Sequence, residues 1–121
     1  MIHEEKKVAK IIEELTMYFF AIGSNEMSSG IKREENQVII TFRANYNPEY
    51  EYKLEHFEEY LKEPKNEGIE DVYWELAGSG DPGETSQLLL LGMMIDKAKV
   101  KRGEGEVEVT LYKELVEESF F

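Results

Sequence analysis

Gln37-Val38-Ile39-Ile40-Thr41-Phe42-Arg43-Ala44-Asn45-Tyr46-Asn47-Pro48 is the stretch on which the fold turns. Val38, Ile40 and Phe42 fall on one face of an extended chain, and Thr41 and Arg43 on the other. That is the period-two pattern of a half-buried strand. Ile39 interrupts the alternation, so the second face is expected to be partly covered. Asn45 to Pro48 then reads as a loop. A strand with one apolar face needs a second layer to cover it, and the flanking sequence supplies helices.

Upstream, Val8, Ile11, Ile12, Leu15, Phe19 and Ile22 recur at three- and four-residue steps. They predict a helix over roughly residues 3–22. Tyr18 and Phe20 widen its apolar stripe, so burial on more than one side is expected. Gly23-Ser24-Asn25 stops the helix. Ser28–Glu34 reads as a strand joined through the turn Glu35-Asn36 to Gln37–Ala44. Downstream, Leu54, Phe57 and Leu61 predict an amphipathic helix near 50–63, ended by Pro64. Lys65–Gly68 is a polar linker, and Asp71–Ala77 reads as a short helix. Gly78-Ser79-Gly80-Asp81-Pro82-Gly83 is the most flexible composition in the chain, and a helix near 84–95 follows.

Lys97–Arg102 and Glu106–Lys113 read as a hairpin. An even-length connection pairing 102 with 107 sets Val100 against Val109, Ala98 against Leu111 and Lys101 against Glu108. A three-residue connection would mix apolar and charged chains on one face. The strand patterns allow a mixed or antiparallel sheet, with Val38, Ile40, Phe42, Val107, Val109 and Leu111 on the face beneath the helices. The fold class is α/β (α+β). It is a two-layer sandwich of about four strands over residues 1–113, with an apolar tail at 114–121.

The 121 residues suffice for one domain with its own core. There are no cysteines, which removes disulfides, thiolate metal sites and cysteine nucleophiles and fits a cytoplasmic protein. No charged segment followed by an apolar run opens the chain. The longest apolar run, Leu88–Ile95, is too short to span a bilayer, so no membrane association is expected. A net charge of −12 repels phosphate backbones, so nucleic acid is not an expected partner. The terminal Phe120 and Phe121 call for burial, each worth roughly 1.5–3 kcal/mol. The tail is expected to dock on its own domain, on a second copy as a homodimer, or on another protein.

The element order resembles that of the Bergerat-fold (GHKL) ATPase group, which includes gyrase, sensor histidine kinases and anti-sigma-factor kinases. The resemblance covers roughly residues 8–113 and implies helices on one face of a mixed sheet. It also implies ATP and magnesium, through three signatures. The first is a Glu followed four residues later by a metal-binding Asn. Glu14 matches the Glu, but Tyr18 stands for the Asn and offers no amide oxygen to Mg²⁺. The second is an Asp-x-Gly-x-Gly turn after the second strand, where Asp reads the adenine amine. Ala44 stands for the Asp, and Tyr46 and Pro48 for the glycines. The third is a glycine-rich helix start, where Thr85-Ser86-Gln87-Leu88 stands instead. The resemblance therefore implies a regulatory or protein-binding domain with an eroded nucleotide site and no cofactor. The alternative is a divergent but functional ATP-binding domain of the histidine-kinase or anti-sigma-factor type.

Several residues carry other candidate chemistry. Glu14 could act as a general base if buried beside a pocket, or be a charged residue on the exposed edge of its helix. Gly78, Gly80 and Gly83 spell Gly-x-Gly-x-x-Gly before a helix, a dinucleotide pattern in the wrong place in the chain. A lid-like loop is the other reading. The following helix start could hold a small anion on backbone amides, with Thr85 and Ser86 adding hydroxyls. His3 and His56 lack partners at ligand spacing, so no metal site is expected. Lys97, Lys99, Lys101 and Arg102 form a basic face whose expected partners are Glu106 and Glu108 across the hairpin.

Overall fold

The computed structural model describes residues 4–61 and 95–115. Its elements are helix α1 (Glu4–Ala21), strands β1 (Met27–Glu34) and β2 (Gln37–Asn45), a single 3-10 turn (Pro48–Tyr50), helix α2 (Glu51–Leu61), and strands β3 (Lys97–Gly103) and β4 (Glu106–Glu114). The expected linker and helices between 62 and 94, the Gly78–Gly83 segment, Thr85, Ser86 and the Phe120–Phe121 tail lie outside the described residues.

The four strands form one sheet in the order β1-β2-β4-β3. Every neighbouring pair is antiparallel. The fold is therefore α+β. Among the described residues the sheet contains no parallel pair, so its sheet is antiparallel rather than mixed. Short hairpins explain this for β1–β2 and β3–β4, because a two-residue connection can only reverse the chain. Glu34 pairs with Gln37 across Glu35-Asn36, and Gly103 pairs with Glu106 across Glu104-Gly105. The second register sets Val100 against Val109, Ala98 against Leu111 and Lys101 against Glu108, as the even-length connection requires.

The inner face of the sheet is the apolar one. Val38, Ile40, Phe42, Val107, Val109 and Leu111 are all buried. On the outer face Ile39 is half-buried, and it lies opposite half-buried Tyr112. Helix α1 covers the inner face: the Phe19 ring stacks on Phe42 at 5.3 Å between centroids. Phe57 of α2 meets Phe19 edge-on at 5.6 Å, so the second helix joins the same core. Arg102 projects from the inner face of β3, opposite Val107, and bonds Glu58 of α2 at 2.9 Å. Both helices therefore lie on one side of the sheet.

The α1 stripe is buried at Val8, Ile11, Leu15, Phe19 and Ile22, and Tyr18 widens it. Phe20 does not, because it is 58% exposed. At about 100° per residue it falls opposite Tyr18 on the helix, away from sheet and α2. Gly23 ends α1 with φ 87°. The Ser24 N–H bonds the Phe19 carbonyl at 3.0 Å and the Gly23 N–H bonds Phe20 at 3.1 Å. This is a Schellman closure, which favours glycine at the left-handed position. A side chain there would also approach within 2.9 Å of the Asn47 Cβ.

Phe19→Ala removes the ring that meets the sheet on one side and α2 on the other. Urea unfolding monitored by circular dichroism is expected to show a loss of about 3–5 kcal/mol. A loss below about 1 kcal/mol would mean that Phe19 is not the centre of the core.

Candidate functional site

Glu14 and Tyr18 lie on α1, and Ala44, Tyr46 and Pro48 lie at the end of β2 and in the turn that leads into α2. Tyr18 lies in the core with its ring stacked on Phe57 at 5.0 Å and 18°, and edge-on to Phe19 at 5.3 Å. Its hydroxyl donates to the Lys53 carbonyl of α2 at 2.9 Å. The phenol therefore satisfies its one polar atom on the neighbouring helix while the ring fills the gap between helices. Glu14 sits one turn earlier on the same flank and is fully buried. The reading of an exposed helix edge is corrected here. Four-residue spacing carries Glu14 onto the flank that Tyr18 presents to α2.

The loop after β2 is fixed by three successive backbone donors. The Asn45 N–H bonds the Glu26 carbonyl at 3.2 Å, that of Tyr46 bonds Gly105 at 3.0 Å, and that of Asn47 bonds Ile22 at 3.2 Å. Two separate segments, the α1–β1 connection and the β3–β4 turn, are thus gathered on three consecutive residues. The Asn45 side chain adds a clamp. Its Oδ1 accepts from the N–H groups of Asn25 at 2.9 Å and Glu26 at 3.2 Å, and its Nδ2 donates to Asn25 Oδ1 at 2.6 Å. Ser24 Oγ donates to the Asn45 carbonyl. Asn47 caps the following 3-10 turn by accepting from the Glu49 N–H at 3.0 Å, with Pro48 at its first position. Ala44 is buried on the inner face.

Tyr46 is buried, and its hydroxyl donates to Glu51 at the start of α2. Burial raises its pKa above the ordinary 10.0, and the bond to Glu51 adds to the rise. Tyr46, Pro48, Glu51, Arg102, Gly103, Glu104 and Gly105 line an open cleft of about 600 Å³ beside the β3–β4 turn. Its cation is already committed. Arg102 lies 2.9 Å from Glu58 and 3.5 Å from Glu51. This arrangement ties α2 to the end of β2 through the phenol and to the hairpin through the guanidinium.

The expected cross-strand pairing holds in register for Lys101, which lies opposite Glu108, and is corrected for Arg102. Arg102 faces inward to α2 because its strand partner is Val107 on the core face. Glu108 pairs instead with Arg43 of β2 at 2.7 Å. Lys97 and Lys99 place their ammonium groups 5.6 and 5.7 Å from the Tyr112 ring centroid. Lys113 is a residue that sequence reasoning passed over. It is fully buried and lies 3.9 Å from Glu4 at the start of α1. The signal was present: period two carries the inner face from Val109 and Leu111 to Lys113.

Gly78, Gly80, Gly83, Thr85, Ser86 and His3 lie outside the described residues, as does the side chain of His56. Among the described residues there is no group of three acidic or imidazole side chains placed to hold a metal ion. No helix among them is long and apolar enough to cross a membrane. No protein-family model matches the chain, and no curated protein matches it significantly.

Tyr46→Phe removes the bond to Glu51 and is expected to cost about 1 kcal/mol at neutral pH. The raised pKa means that the folded protein holds the phenolic proton longer than the unfolded chain. That contribution is complete below pH 10.0 and is lost as the pH rises through the higher folded value. Urea titrations across this range are expected to show the wild-type advantage constant at neutral pH and shrinking in alkali. A difference independent of pH would contradict the assignment.

Proposed function

We propose that this chain is a non-catalytic, regulatory or protein-binding domain of the cytoplasm that resembles a Bergerat-fold ATPase with an eroded nucleotide site. The observation that carries this reading is the fate of the two signatures within the described residues. Tyr18, at the position of the metal-binding amide, has its ring stacked on Phe57 and its hydroxyl bonded to Lys53. Ala44, at the position of the adenine-reading carboxylate, is a buried methyl on the core face. Tyr46, at a glycine position, is buried and bonded to Glu51. Each would have to leave a structural role before a nucleotide could use its place. Loss of a specific polar contact alone costs several kcal/mol of discrimination. The charge of −12 adds long-range repulsion against a polyanion.

One observation favours the second reading, a divergent ATP-binding domain. Glu14 matches the signature carboxylate and is fully buried on α1. Calorimetric titration with ATP and Mg²⁺, with ADP as control, separates the two readings. No saturable heat is expected. Saturable binding in the low micromolar range would overturn the eroded-site reading in favour of the second.

A further inference from the structure

The two edges of the sheet are built differently. β3 carries Lys97, Lys99 and Lys101 at alternate positions along its edge. A row of lysines discourages pairing with another strand. β1 has no such guard over its first five residues, Met27-Ser28-Ser29-Gly30-Ile31. It runs eight residues without proline, in unbroken register with β2 from Met27–Ala44 to Glu34–Gln37. Ser28 to Glu34 are all exposed. Among the described residues, no strand pairs with its outer edge.

Two residues on β1 lack an explanation among the described residues. Gly30 does not have a positive φ, and a Cβ built on it meets no atom within 4 Å. Neither conformation nor crowding asks for glycine. Glycine inside a strand often marks the close approach of another backbone. Ile31 lies opposite buried Ile40 on the core face yet is 58% exposed. It extends the apolar inner surface past the last covered strand.

The geometry points to a second copy of this chain paired antiparallel along β1, with the two-fold axis at Ile31. In that register Ser28 faces the partner's Glu34, Ser29 the partner's Arg33, Gly30 the partner's Lys32, and the two Ile31 side chains meet. No like charges are opposed. Antiparallel registers must keep hydrogen-bonding residues opposite one another, so the alternatives differ by two. One opposes Lys32 to the partner's Lys32, which is destabilising. The other opposes Gly30 to the partner's Gly30 and leaves Ile31 against a serine. Of these three registers the Ile31 one alone matches apolar to apolar, and it passes the long Lys32 stem over the space that Gly30 leaves open; the register centred on Ser29 sets Met27 against Ile31 but pairs only residues 27–31 of the strand. Paired residues point to the same face, so the result is one eight-stranded sheet with both inner faces on one side. An isologous contact of this kind closes on itself and does not propagate.

This inference rests on the protein-binding part of the functional reading and names the partner. It does not depend on nucleotide, so the two tests fail separately. The chain has no cysteine, so Ile31→Cys introduces a single thiol. Directly opposed residues lie roughly 4.5–5.5 Å apart between Cα atoms, within reach of a disulfide. Ser28→Cys is the control, because its site lies far from its own copy. Sedimentation of the full chain is expected to give twice the 14.1 kDa chain mass. Mild oxidation should yield covalent dimer from Ile31→Cys and none from Ser28→Cys. Ile31→Lys should abolish the dimer with an unchanged circular dichroism spectrum, since the side chain is exposed. A monomeric wild type at every concentration would overturn the inference. So would equal cross-linking of both cysteine variants, or an Ile31→Lys variant that remains dimeric.

Discussion

Phe19 holds the two layers together. Its ring lies flat on Phe42 of the sheet, at 20° between planes, and presents an edge to Phe57 of α2. Tyr18, its neighbour in sequence, closes the cluster by stacking on Phe57. Consecutive helical residues point about 100° apart, so adjacent positions can serve different surfaces. Phe19 faces the sheet while Tyr18 faces α2. The placement of α2, and with it the Arg102 link to the hairpin, depends on this aromatic group. Aromatic pairs with offset or edge geometry contribute about 0.5–1.5 kcal/mol each beyond the area they bury.

The junction after β2 is the second constraint, and it bears on function. Asn45, Tyr46 and Asn47 deliver their backbone donors to Glu26, Gly105 and Ile22. Asn45 and Asn47 then use their side chains on neighbouring backbone. These residues are employed in joining α1, β1, β2 and the β3–β4 turn. A turn that lets phosphate or adenine approach needs open backbone and free donors. This turn has bulky side chains, and three of its donors are used within the chain.

The strands were the most legible part of the sequence. Alternation in Val38–Phe42 and Val107–Leu111 defined the core face, and the need to keep that face apolar set the register of the last hairpin. The residues whose surroundings are tertiary were less legible. Glu14 reads as an edge residue until α2 is placed beside Tyr18. Phe20 reads as part of the stripe although no neighbour among the described residues covers it. Arg102 reads as a hairpin partner for glutamates, but its strand position turns it toward α2. Lys113 could have been found by carrying the period two residues further, against the expectation that lysine lies outside. The role of Asn45 could not be read from spacing, because it depends on the loop after α1 returning to the end of β2.

Amide hydrogen exchange at Asn45, Tyr46 and Asn47, followed by NMR with and without ATP and Mg²⁺, tests the structural role of this junction most directly. If the three donors are committed as described, these amides are protected to a degree comparable with the interior of β2, and nucleotide leaves them unchanged. Exchange at the rate of an open loop, with protection gained only when nucleotide is added, would contradict the account.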